Sequence, residues 1–293
     1  MAALGKAVSL PRRLVRASAR RAGRLRHGPD RRAIPRELGR EAIFFLAGRV
    51  RPTLQVRWPS GRYLVASADY DVSRRTYVAG PYGLDRLLRC AQLIERETGA
   101  SIRGREVLEV GANIGTTTVP LVTVVGAAYV HAFEPVPRNF VLLERNIELN
   151  DLSARVTLHE TAVSDHAGTV ALASSPRFWG SSRVVADASS DDDVANCVTI
   201  DSLLASGAIS NERLALVWID VEGHEAAVLA GATELGPIPI VLEHDPKQQA
   251  DLEQLHELIH QRNAQLYDLS AGIKVTLAGL GPTPTDLLLL PEP

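Results

Sequence analysis

Acidic and imidazole side chains gather at two places in the second half of the chain. Leu214-Ala-Leu-Val-Trp-Ile219 runs into Asp220, Glu222, His224 and Glu225, and Pro239-Ile-Val-Leu242 runs into Glu243, His244 and Asp245. Each apolar run reads as a buried strand, and strand ends in open α/β sheets are where ligands and reacting groups collect. A general base works best when it titrates near neutral pH, which these residue types can do when a site tunes them. Asp220 is the leading candidate for a role at the reacting centre, with Glu222, His224 and His244 as further catalytic candidates. Glu225 equally suits the first turn of a helix, where an acid meets the dipole. Either histidine equally suits a structural place.

A second constellation lies earlier. Val107, Leu108 and Val110 form a short apolar run that ends in Gly111-Ala112-Asn113-Ile114-Gly115, followed by Thr116, Thr117 and Thr118. This reads as a central strand, a tight glycine turn and a helix start. The dinucleotide fingerprint carries a second glycine so that a pyrophosphate can approach. Here Asn113 offers a side chain to the crevice and Glu109 a carboxylate near it. That suits a ligand with an amino group and a positive centre, such as S-adenosylmethionine, better than one with two phosphates. Glu109, Gly111, Ala112, Asn113, Ile114 and Gly115 are the candidate contacts. Val130-His-Ala-Phe133 then leads into Glu134-Pro135. Glu134 lies about twenty residues past the turn, the spacing at which an acid meets ribose hydroxyls.

Strands alternating with helices are needed to position these groups. Strands are expected at 107–110, from Val130, and at 155–159, 168–172, 214–220, 239–243, 266–269 and 286–290. Helices are expected over 85–98, from Thr116 with a kink at Pro120, and over 138–150, 223–231 and 248–261. This order gives a mostly parallel sheet with helices on both faces. Residues 53–67 alternate around the turn signal Pro59-Ser-Gly61, as in an antiparallel hairpin. Residues 174–196 are polar, rich in turn formers and contain Phe178-Trp179, which suggests a substrate-side loop.

Charge is unevenly spread. The 293 residues hold 32 Lys/Arg and 34 Asp/Glu, but residues 1–40 hold 12 of the former and two of the latter, leaving 20 against 32 elsewhere. The basic stretch reads as a solvated arm and is a candidate for contact with an anionic surface. It also fits an organellar transit segment. It carries no aromatic residue before Phe44, so it offers no stacking platform for bases. Cys90 and Cys197 are too few and too far apart for a disulfide framework or a metal motif, and they fit a reducing compartment. No apolar run approaches membrane-spanning length. A cytoplasmic protein is the expectation.

Four segments carry a resemblance over roughly residues 75–290. They are Glu109-Val-Gly-Ala-Asn-Ile-Gly115; Phe133-Glu-Pro135 with Asn139, Leu143 and Asn146; Thr161-Ala-Val-Ser-Asp165 with Gly168; and Ile219-Asp-Val-Glu-Gly223 with Glu225 and Val228-Leu-Ala-Gly-Ala232. Together they resemble the FkbM-type methyltransferases. The chain departs from that pattern at Trp218, where lysine is common, at Glu109, where aspartate is common, near Thr161, where asparagine is common, and at Gly83, where glutamate often follows the tyrosine.

The resemblance implies a class I methyltransferase, Rossmann-like, with a mostly parallel seven-stranded sheet, helices on both faces and an N-terminal extension. It implies S-adenosylmethionine as cofactor and a small-molecule hydroxyl, on a sugar or secondary metabolite, as acceptor. Ala162 and Val163 would lie against the adenine, Glu134 and Pro135 at the ribose, and Asp220 near the methyl group. The expected divisions are a basic arm at 1–40, a hairpin-and-helix extension at 41–104 and the methyltransferase domain at 105–293. No metal is the leading expectation. A secondary one is Mg²⁺ held by Asp220, Glu243 and His244, since oxygen ligands from two adjacent strand ends suit that ion. The competing readings are an NAD-dependent oxidoreductase and a non-catalytic module that binds through its arm.

Overall fold

The computed structural model describes residues 34–185, 193–247 and 249–292. Residues 1–33 and 186–192, on which parts of the arm and loop expectations fall, lie outside them. The described chain starts with α1 (Ile34–Gly48), the hairpin β1 (Thr53–Trp58) and β2 (Gly61–Ala66), then α2 (Val72–Ala79) and α3 (Leu84–Thr98). β3 (Glu106–Val110), α4 (Thr118–Pro120) with a π-helical turn at Leu121–Val125, β4 (Tyr129–Phe133), α5 (Pro137–Leu149) and β5 (Val156–His159) follow. Next come β6 (Ala162–Val163), β7 (Gly168–Ala173), β8 (Arg183–Val185), β9 (Asp193–Val198) and α6 (Ile200–Ala205). β10 (Leu214–Ile219), α7 (Glu225–Ala230), β11 (Ile240–His244), α8 (Gln249–Gln261), β12 (Ala264–Asp268), β13 (Ile273–Val275) and β14 (Thr285–Pro291) complete it.

The main sheet has eight strands in the order β13-β12-β14-β11-β10-β3-β4-β5. β11, β10, β3, β4 and β5 are parallel, and β14 inserts antiparallel between β11 and β12. The chain builds outward from β3 in one direction and from β10 in the other. The switch point therefore lies between β3 and β10, and a crevice opens at their carboxyl ends. Alternation along the strands divides the core. Val107, Trp218, Val241 and Leu288 face α3 and the extension, whereas Leu108, Val217, Leu242 and Leu287 face α7 and α8.

α3 forms because Leu87, Leu88, Leu93 and Ile94 recur on one face, and it stops at Gly99, whose φ of 69° lets its N–H reach the Glu95 carbonyl. The hairpin is fixed to the sheet by two asparagines one turn apart on α5. Asn146 accepts from the Leu64 N–H and donates to the Leu64 and Ile114 carbonyls; Asn150 does the same for both backbone groups of Arg62. These amides complete the open edge of β2. Phe44, Tyr63 and Val65 consequently share one core with Val107 and Ile114, so packing crosses the expected division at residue 105.

Four expectations change. β13 makes the main sheet eight-stranded rather than seven-stranded. Residues 34–40, read as part of a mobile or partly helical arm, belong to the packed helix α1, where Arg40 donates to the Tyr77 carbonyl and its guanidinium covers the Trp58 ring. The stretch 174–196 is not one long loop: β8 and β9 pair with β6 and β7 in a four-stranded sheet. α2 and α6 were not foreseen. α2 starts where the buried Asp69 carboxylate, three residues before Val72, accepts from the Ser73 N–H.

Candidate active site

The crevice at the switch point is built from close backbone approaches. Gly111, at the end of β3, has φ of 87°, and a Cβ there would lie 1.8 Å from the Asp220 carbonyl oxygen. The Asp220 N–H in turn donates to the Val110 carbonyl. Only glycine lets the two strand ends cross so closely. Asn113 follows in the left-handed region at φ 50°, a conformation asparagine tolerates, with its side chain accepting from the Ile114 N–H.

Glu134 holds this turn. One carboxylate oxygen accepts from the Asn113 N–H at 2.8 Å and the other from the Val136 N–H at 3.0 Å. Burial pushes its pKa up to about 7, against the pull of those two amides. Glu134, Pro135, Ala162, Val163, Leu172 and Val184 line one continuous cleft with Gly111, Asn113 and Asp220. Trp179 and Gly180 form its roof. The Trp179 N–H donates to Asp69, and a Cβ on Gly180 would press on Val72 and Asp71, so the roof is seated against the extension.

A second cleft adjoins the first. It is lined by Asp71, Arg75, Tyr82, Thr116 and Thr117 and shares Gly111, Asn113, Gly180, Asp220 and Glu222 with its neighbour. Arg75 and Arg86 place their guanidinium groups over the Tyr82 ring, 5.0 and 4.6 Å from its centroid. Arg86 also pairs with Asp286. Asp71, Arg75, Tyr82, Arg86, Asp286 and Trp179 all escaped the sequence reading as site residues. The nearest signals were the Phe178-Trp179 pair and the tyrosine before Gly83.

Asp220, Glu222 and Glu243 bring carboxylate oxygens within 4.8 Å of one another. Crowded acids in a buried place favour protonation. Burial, then Asp286, raises Asp220 to about 6, while Arg86 opposes the shift. Burial and the neighbouring Asp220 and Glu243 raise Glu222 to about 8. Glu243 rises to about 7 through burial and Asp220. Glu225, also raised to about 7 by burial, accepts from the Val221 N–H and so closes the loop between β10 and α7.

Several candidates lie elsewhere. His244 points to the opposite face of β11 from Glu243, and its Nε2 lies 3.0 Å from Nε2 of His256 on α8. It therefore lies outside the acidic cluster, and Glu222 occupies the third position expected for it beside Asp220 and Glu243. His224 faces the first cleft near Val163, with Nε2 2.9 Å from the Ser164 hydroxyl. Glu109 is buried below the turn and lines neither cleft; burial raises it to about 8. Ile114 packs in the core, and Gly115 meets Leu143 on α5 rather than the crevice. Trp218 is likewise core, beside Glu109 in the register.

The donor set fits S-adenosylmethionine. A glycine turn without a Cβ, a partly satisfied buried carboxylate, a small apolar wall and an acidic floor match its methionine end, ribose, adenine and cationic centre in turn. A model of the methyltransferase FkbM domain matches residues 109–266. The methyltransferase sdnD of Sordaria araneosa is 28% identical over 156 residues, covering 44% of this chain and 60% of that protein. The match thus spans under two thirds of that relative. TYW2 of M. jannaschii, solved in complex with AdoMet, is 13% identical with a TM-score of 0.44, covering 82% of this chain and 84% of that one. With the family model spanning more than half of its length, the chain belongs to the FkbM methyltransferases.

Proposed function

We propose that this methyltransferase modifies a hydroxyl oxygen of a small polar acceptor. One observation carries the reading: the two clefts meet at Asp220 and Glu222, whose carboxylates titrate close to neutral pH. A hydroxyl must lose its proton to become a good nucleophile, and a base of near-neutral pKa suits that task. Family membership displaces the oxidoreductase alternative.

In this reading the first cleft takes the cofactor. Glu134 accepts from the ribose hydroxyls with the lone pairs its amide partners leave free. Ala162 and Val163, with Leu172 and Val184, cover the adenine, while the backbone at Gly111, Ala112 and Asn113 holds the methionine end. S-adenosylmethionine supplies a methyl group already activated on sulfur. The chain's own contribution is alignment and proton removal. Asp220 orients the reacting pair from the floor, and Glu222 takes the acceptor proton. Tyr82 and Arg75 wall the acceptor side. The polar, acid-lined surface suits a polyol better than an apolar ring.

Calorimetric titration with S-adenosylmethionine tests the cofactor half. We expect micromolar binding, weakened at least tenfold by Glu134→Ala. Labelled donor offered to panels of sugars, phenols and amines, with mass spectrometry of the product, tests the acceptor half. Transfer only to nitrogen would overturn the hydroxyl reading.

A further inference from the structure

α1 has two apolar faces. Phe44 turns inward and meets Tyr77, ring centroids 5.6 Å apart. Leu38, Ala42, Phe45 and Leu46, spaced i, i+4, i+7 and i+8, form a stripe on another side. Leu38 is 61% exposed, Phe45 43% and Leu46 62%, and the adjoining Ile43 and Val50 are 52% and 80% exposed. Tyr70 meets one edge of Phe45, while Leu38, Ala42 and Leu46 stay exposed among the described residues. A soluble monomer rarely shows so continuous an apolar surface unless it meets a partner.

Charge identifies that partner. Arg36, Arg49 and Arg51 are exposed around the helix; of its two acids, Glu37 is exposed and Glu41 is occupied by Arg74. The 33 residues immediately before α1 hold 10 Lys/Arg against one acid, Asp30. An apolar stripe joined to a polybasic segment is the pairing that seats a helix in the plane of an anionic bilayer. Aliphatic side chains enter the acyl boundary and the cations meet lipid phosphates. A second copy would bring the same cations against each other across a twofold axis. RNA would leave Leu38 and Leu46 without use, since bases stack on aromatic rings.

The stripe leads to the cleft. Phe45 meets the Tyr70 ring at 5.6 Å, the Tyr70 N–H donates to the Arg177 carbonyl, and Phe178 beside it is exposed. Trp179 and Gly180, the roof of the cleft, come next. We infer that α1 is a membrane-surface helix that docks the protein on anionic lipid with the cleft mouth beside the bilayer. This inference stands independently of which atom is methylated.

Co-sedimentation of the full chain with vesicles tests it. We expect binding to phosphatidylglycerol mixed with phosphatidylcholine and little to phosphatidylcholine alone. Leu38→Glu with Leu46→Glu should cut the bound fraction at least tenfold, with S-adenosylmethionine affinity and melting temperature unchanged as proof of folding. Equal binding to both vesicle types, or an unaffected double variant, would overturn the inference. So would absence of vesicle binding accompanied by a dimer that the same substitutions dissociate, or by salt-sensitive binding to an RNA oligonucleotide.

Discussion

Glu222 sits at φ 52°, a left-handed position that a side chain other than glycine occupies at a cost of about 1–2 kcal/mol. That conformation aims its carboxyl into the cluster with Asp220 and Glu243. Protonated carboxyls cannot take a proton, so the methyl-transfer rate should rise with pH through the range of about 6 to 8 and level off above it. We expect Glu222→Gln to lower kcat by about 10²–10⁴-fold with the donor Kd changed little, as single-turnover kinetics and calorimetry would show. Asp220→Asn removes the like charge beside Glu222, so its acid limb should move to lower pH; an unmoved limb would assign the base elsewhere. Asp220 and Glu134 were legible because each directly follows a buried strand, and Asn113 because it stands inside the glycine turn. Asp71, Arg75 and Tyr82 were not, since they arrive from outside the sheet and no local pattern marks them. The pairing of Glu243 with His244 failed on strand geometry: neighbours in a strand point to opposite faces.

At the level of elements, the long parallel strands and α3 declared themselves by unbroken or periodic apolar runs. Of the four-stranded sheet, only β7 did. β6 has two residues and β8 three, and β9 buries only Ala195 and Cys197. Such strands are set by distant partners rather than by their own pattern. α2 is polar, and its cap, Asp69, also ties down Trp179, so its reason for existing lies 110 residues away. The β3–β10 crossing is less forgiving. Gly111→Ala would drive a methyl group into the Asp220 carbonyl while forcing a positive φ. We expect loss of soluble expression, or a melting temperature lowered by at least several degrees, together with loss of donor binding.

For the whole molecule, burial of acids couples stability to pH. Glu109, Glu134 and Glu225 have folded-state pKa values of about 8, 7 and 7, above the usual carboxylate range. Their protonated forms favour the fold, so that contribution is complete below about pH 4 and is lost as pH rises through 7 to 8. The melting temperature should fall between pH 6 and pH 8.5. Glu109→Gln should flatten the fall and melt higher at pH 8.5, with a gain in stability of about 5 kcal/mol at most. A steeper fall in the variant would contradict this account. The position of β14 has a different consequence, in the time order of synthesis. β12 and β13 leave the ribosome before β14, yet β12 reaches the rest of the sheet only through β14. Until Thr285–Pro291 emerges, β11 offers a bare edge and the β12–β13 hairpin has nowhere to dock. Nascent chains therefore pass through a stage with two unpaired strand edges, which is when a holding chaperone would matter most.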